Sequence, residues 1–264
     1  MDNEPAFWRR EPPRSLRGLV SGIYAYDEGG VAMRETVEPA GLDVPLIINF
    51  GTRFEIALGR APTSRDRIGS FGAGLFAGPV VMNSDGGAQC IQVNFTPLGG
   101  RLFYGMPLRE LAERMVSLDD LADAGIAELT DRLGELNSWE ARLLLTERFV
   151  ADRLARAVAL SPELRWTIGQ IETRKGNLRM DWLCGELGWS RRRLAEQMRQ
   201  EFGLTPKAIA RIARFGAAEA MALASERPDW ADIAAACGFA DQAHLAREFS
   251  DLAGRSPTLF RAAA

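Results

Sequence analysis

The sequence predicts an α+β chain of two domains: a small β-barrel or sandwich with helices packed on it, then an all-α unit with two helix-turn-helix motifs. Three observations predict it. Residues 5–96 carry short apolar runs with strand alternation, separated by Gly-rich spacers. From Pro97 onward the apolar period lengthens to that of helices. Between Met180 and Pro257 one pattern occurs twice. A chain of 264 residues holds two domains of ordinary size, here drawn as 1–160 and 161–264.

In the first domain, Leu19–Tyr26 and Val31–Val37 read as a pair of strands around Glu28-Gly29-Gly30. Val44–Phe50 and Phe54–Leu58 follow, parted by Gly51, and Leu75–Met82 and Cys90–Phe95 complete the set. The spacers Gly69–Gly74 and Gly86-Gly87 read as loops. In the last strand Ile91, Val93 and Phe95 face one way and Cys90, Gln92 and Asn94 the other. Two packings are open. If Gln92 and Asn94 look inward, with an aromatic wall from Phe50 or Phe54, they line an uncharged pocket suited to a neutral or weakly polar molecule. If Ile91, Val93 and Phe95 look inward, the amides lie in solvent. Leu102–Tyr104, Leu108–Met115, Leu118–Leu136 and Trp139–Leu160 read as helices. The broad apolar stripe of Ala141–Ala159, with Leu143, Leu144, Phe149 and Leu154, fits packing on the barrel and contact with a second copy equally.

The repeat is the most informative stretch. Met180–Leu194 and Ala231–Leu245 each give a short apolar helix, a glycine (Gly188, Gly238), an aromatic residue (Trp189, Phe239) and a second helix. Glycine suits a turn in which the chain bends sharply. The copies close with Phe202, Gly203 and Pro206, and with Phe249, Gly254 and Pro257. Ser190 and Asp241 stand where a helix takes its N-cap. Leu194, Met198 and Phe202 recur every four residues as a buried stripe, matched by Leu245 and Phe249. The opposite faces carry Arg191, Arg192, Arg193, Glu196 and Arg199 in copy one, and Gln242, Ala243 and Arg247 in copy two. One such face alone is an ordinary solvated surface. Two in one unit of about 100 residues fit a major groove, where Arg pairs with guanine and Gln with adenine. Lys207–Ala224, without Pro or turn signal, reads as one helix joining the copies.

On these residues the C-terminal part resembles the AraC/XylS-type DNA-binding domain. The second copy carries the likeness through Ile233-Ala234, Cys237-Gly238-Phe239, Asp241, His244-Leu245, Arg247, Phe249, Gly254, Ser256-Pro257 and Arg261. The first does so through Leu183, Gly188, Ser190, Leu194, Phe202-Gly203 and Pro206, departing at Glu196 and Met198. The resemblance implies seven helices, with two recognition helices entering successive major grooves. The N-terminal part is similar, more loosely, to a regulator-associated sensory domain, through Arg10–Pro13, Pro45–Gly51, Phe76–Pro79 and Val93–Leu111. That likeness implies a cupin-like barrel with helices and no particular ligand.

Charge agrees with this division. The chain carries a net −3, yet residues 161–264 carry 15 basic and 13 acidic side chains, so the positive charge is concentrated there. The only histidine, His244, lies in the repeat, which leaves no His set for a barrel metal and no Ser-His or Cys-His nucleophile pair. Neither catalysis nor a cofactor is expected. Cys90, Cys184 and Cys237 form no CxxC pair, and a reduced, cytoplasmic protein without a membrane span follows. Cys90 in its strand reads as core, with a redox or alkylation sensor as the minor alternative. The expected partners are double-stranded DNA, a small-molecule effector, a second copy of the chain and RNA polymerase. The alternative gives the barrel only protein contacts and no small molecule.

Overall fold

The computed structural model describes residues 4–263. Its strands are β1 (Ala6–Arg10), β2 (Val20–Asp27), β3 (Met33–Glu38), β4 (Val44–Asn49), β5 (Phe54–Leu58), β6 (Arg67–Ile68), β7 (Phe71–Ala73), β8 (Val80–Ser84), β9 (Gln89–Phe95) and β10 (Met115–Ser117). They form a six-stranded sheet, β1-β2-β9-β4-β7-β10, and a four-stranded sheet, β3-β8-β5-β6. Every strand pairing is antiparallel.

The six-stranded sheet is covered on both faces. One face of β9, Ile91, Val93 and Phe95, is fully buried with Leu46, Ile48, Phe103 and Leu129 under the helices. Phe95 stacks on Phe103 at 4.4 Å between ring centroids. The other face holds Cys90 with Ile47 and Phe71, and meets Phe54 and Ile56 of the second sheet. The amides of β9 therefore lie between the sheets, and neither of the two packings open to the sequence is complete alone.

Three expectations are corrected. Leu19–Tyr26 and Val31–Val37 are strands, but not partners: β2 pairs with β1 and β9, whereas β3 pairs with β8 in the other sheet. The Gly69–Gly74 spacer contains β7, laid between β4 and β10. Its Gly72 accommodates the Tyr104 ring, whose hydroxyl occupies the space that a Cβ would need. The region Leu108–Leu136 is broken. A 3₁₀ turn at Leu108–Glu110 leads to β10, and α2 (Leu118–Leu121) ends at Ala122, φ +50°, before α3 (Ala124–Glu135).

Ahead of that turn lies α1 (Pro97–Tyr104), and after α3 comes α4 (Trp139–Ala155). Leu143, Val150 and Leu154 of α4 are buried in the helix-side core of the domain. Leu144 and Phe149 of the same stripe are half-buried. Trp8 of β1 stacks on Trp139 at 5.1 Å, an anchoring contact.

Seven helices follow among the described residues: α5 (Pro162–Thr173), α6 (Met180–Leu187), α7 (Arg191–Phe202), α8 (Pro206–Leu223), α9 (Trp230–Ala236), α10 (Gln242–Ala253) and α11 (Pro257–Ala263). Leu194, Met198, Phe202, Leu245 and Phe249 are all buried. Phe249 is ringed by Phe215, Trp230 and Phe260, with centroids 4.9–5.6 Å away. Cys237 is buried, and Cys184 half-buried.

Candidate nucleic-acid interface and inter-sheet cavity

Each recognition helix starts where its local sequence dictates. The Ser190 hydroxyl accepts from Arg193 N at 3.2 Å, and the Asp241 carboxylate accepts from His244 N at 2.6 Å. Both satisfy amides that the first turn leaves without partners. The preceding turns pass through left-handed backbone at Gly188 (φ +63°) and Gly238 (φ +75°), where a side chain would be strained.

The arginine cluster of α7 divides by geometry. Arg191 turns back to Asp181 of α6, Nε to Oδ1 at 2.6 Å. Arg193 lies over the Trp189 ring at 4.3 Å. Arg192, Glu196 and Arg199 stay on the open face and line one shallow groove with Ala195. Gln242, Ala243 and Arg247 are exposed on α10. His244 is partly buried and structural: Nδ1 accepts from Ala240 N at 3.3 Å, and Nε2 faces Glu248 at 3.5 Å.

The helix α8 ties the motifs together. Its Arg211 reaches Glu248 (Nε to Oε2, 2.5 Å) and Asp251 (Nη2 to Oδ2, 2.6 Å), both on α10. Sequence reasoning passed over Arg211, because its partners lie 37 and 40 residues away.

Between the sheets lies a cavity of about 210 Å³. Gln92 and Asn94 line it, with Tyr26, Ile47, Phe54 and Met82. Phe50 does not line it: its ring lies 4.6 Å from the Arg142 guanidinium, on the helix side. The period of the strand explains this. Ile47 of β4 faces the cavity, so Leu46, Ile48 and the next even position, Phe50, face the helices. The aromatic wall comes from Phe54. The lining also carries charge, from Glu38, Asp43 and Arg114, which corrects the expectation of an uncharged pocket. Cys90 is fully buried, and burial pushes its thiol up to about 12. It therefore stays protonated, which removes the thiolate that a sensor would use.

The N-terminal domain touches the ends of both recognition helices. Arg101 of α1 pairs with Glu201 of α7 (Nε to Oε2, 2.6 Å), and Arg109 donates to Gln200. Ala40 N donates to the carbonyl of Leu252, near the end of α10, at 2.7 Å.

Residues 183–263 match the family model described as a helix-turn-helix domain. ToxT from Vibrio cholerae, in its unsaturated fatty acid bound structure, is similar in fold with a TM-score of 0.50. The alignment covers 96% of each chain at 11% identity. The C-terminal domain of AraT, a response regulator from Geobacillus stearothermophilus, aligns with 40% of this chain and 89% of its own. There the identity is 24% and the TM-score 0.37. No curated protein sequence matches the chain.

Proposed function

We propose, on the premise that residues 183–263 are an AraC-type helix-turn-helix domain, that this DNA-binding transcription regulator is controlled by a small molecule held between the sheets of its N-terminal domain. The observation that carries the effector reading is continuity. The segment Pro39–Gly41 lines the cavity, and its Ala40 bonds the end of α10. Arg114 and Met115 line it too, and they continue the 108–112 segment that packs on α7. A ligand that shifts either segment acts on a recognition helix. The regulator works where its DNA is, in the cytoplasm; no described helix is long and apolar enough to cross a membrane.

Copy one reads bases through Arg192 with Arg199 on the backbone, and copy two reads through Gln242, Ala243 and Arg247. The 18 residues of α8 span about 27 Å at 1.5 Å per residue. That strut suits two helices set about one duplex turn, ~34 Å, apart. A hydroxyl-radical footprint of the monomer is expected to protect two adjacent major grooves on one face. Protection of a single groove rejects the arrangement.

Gln92→Leu tests the cavity. It is expected to shift the effector dose-response while effector-free DNA binding keeps its wild-type affinity. An unchanged dose-response removes Gln92 from the site. A barrel that makes only protein contacts gives no ligand-dependent rise in melting temperature at all.

A further inference from the structure

The polar groups of the cavity are ordered in one direction. Asp43 accepts on both oxygens, from Ser21 Oγ at 2.6 Å and from Asn94 Nδ2 at 3.1 Å. A carboxylate only accepts, so Asn94 must give it the NH₂ group and turn Oδ1 to Gln92. Gln92 then donates from Nε2 to that Oδ1, at 2.8 Å. The chain of donors thus runs toward Asp43 and ends on an acceptor, Gln92 Oε1. Glu38 lines the same cavity with a second carboxylate. Glu38 and Asp43 are exposed and stand at the open rim of the cavity, with protein packed closely around their inner sides. Burial raises both carboxyls above their usual range, and the charge of Asp43 adds to the rise at Glu38. Arg114, the cation in this lining, is exposed and turned to the Glu110 carbonyl, Nε to O at 2.7 Å.

The rest of the wall is apolar: Phe54, Ile56, Phe71, Val80 and Met82. A dry cavity of about 150 Å³ already admits benzene, so about 210 Å³ accepts a body of one ring with a short arm. Such a body supplies no donor for the Glu38 carboxylate or the Gln92 amide oxygen. A protonated amine does, and it offsets the repulsion between Glu38 and Asp43.

We infer that the cavity takes a small organic cation, an apolar one-ring body whose protonated amine donates to Glu38 and to Gln92 Oε1. The inference rests on the reading of the cavity as an effector site and adds the charge class of the ligand. The experiment is isothermal titration calorimetry on the full chain with three probes of matched size: 2-phenylethylamine, 2-phenylethanol and 3-phenylpropionate. The amine is expected to bind at least ~10-fold tighter than the other two. Glu38→Gln, checked for a wild-type melting temperature without ligand, is expected to lose that margin by ~10-fold or more, the scale of a hydrogen bond to a charged group. If Glu38→Gln melts early, Gln92→Met replaces it with the same expected direction. Tighter binding of the alcohol or the carboxylate overturns the cation assignment and leaves the effector reading standing. Failure of the amine to bind at millimolar concentration also overturns the cation assignment, and the effector reading falls with it only if no ligand raises the melting temperature.

Discussion

Arg192→Ala is expected to weaken binding to the specific operator by ~1–3 kcal/mol and to leave binding to random DNA close to wild type. Arg192 is exposed in the first turn of α7, the part of a recognition helix that meets base edges. Its neighbours are engaged within the domain, Arg191 with Asp181 and Arg193 over Trp189. All three are exposed, and Arg192 is the one that lines the groove with Glu196 and Arg199. Arg199 lies two turns further along and is expected to behave differently. Arg199→Ala weakens all sequences alike and lowers the slope of log affinity against log salt by about one phosphate contact. Glu196 stands between them. A carboxylate there accepts from cytosine and repels phosphate, so Glu196→Ala is expected to relax sequence preference while raising affinity for random DNA. Fluorescence anisotropy on specific and random duplexes at several salt concentrations measures all three. Equal losses on both duplexes for Arg192→Ala remove it from base reading.

Arg211→Ala is expected to cost ~2–3 kcal/mol of stability and to remove the footprint over the second groove first. Arg211 bonds Glu248 and Asp251, and so joins the long α8 to α10. Glu248 is only 9% exposed. Without the guanidinium its carboxylate keeps only His244 Nε2, at 3.5 Å. Breaking one side of a buried pair costs ~3–5 kcal/mol, and the partial exposure of Arg211 brings the figure down. The double variant Arg211→Met with Glu248→Leu is expected to recover most of the loss, because neither charge then remains buried. Urea denaturation of the single and double variants decides this. An additive loss in the double variant assigns the cost to packing and not to the ion pair.

The helix-turn-helix pair was legible because its determinants are local. Ser190 lies three residues from the amide that it caps, and Gly188 and Gly238 sit in the turns themselves. Leu194, Met198 and Phe202 repeat at four-residue spacing. Each signal lies within one helix or one turn, where spacing fixes geometry. The length of α8 followed in the same way from a stretch without breakers.

The β-rich domain shows where that ends. Alternation found β2, β3, β4, β5 and β9 and separated the two faces of β9, but it missed β1 and β6 and ran a strand over Leu75–Met82, of which only Val80 onward belongs to β8. It carried no information on partners, so β2 and β3 went to different sheets, and β7, short and glycine-rich, was taken for a loop. The choice between Phe50 and Phe54 turned on which face of β4 meets the second sheet, and Glu38 and Asp43 reach the cavity from the ends of the β3–β4 connection.

The sequence by itself determined the two-domain α+β plan, the paired motifs, their caps and turns, and which helix faces are polar. Only the tertiary structure decided that both faces of the six-stranded sheet are buried, that Arg191 meets Asp181 and Arg193 lies over Trp189 while Arg192 lines a groove with Glu196 and Arg199, and that two carboxylates share the cavity with Gln92 and Asn94. The physical reason is range. A cap or a helical stripe is set by residues a few positions apart, whereas a cavity wall is assembled from strands paired across tens of residues, and no local period records that pairing.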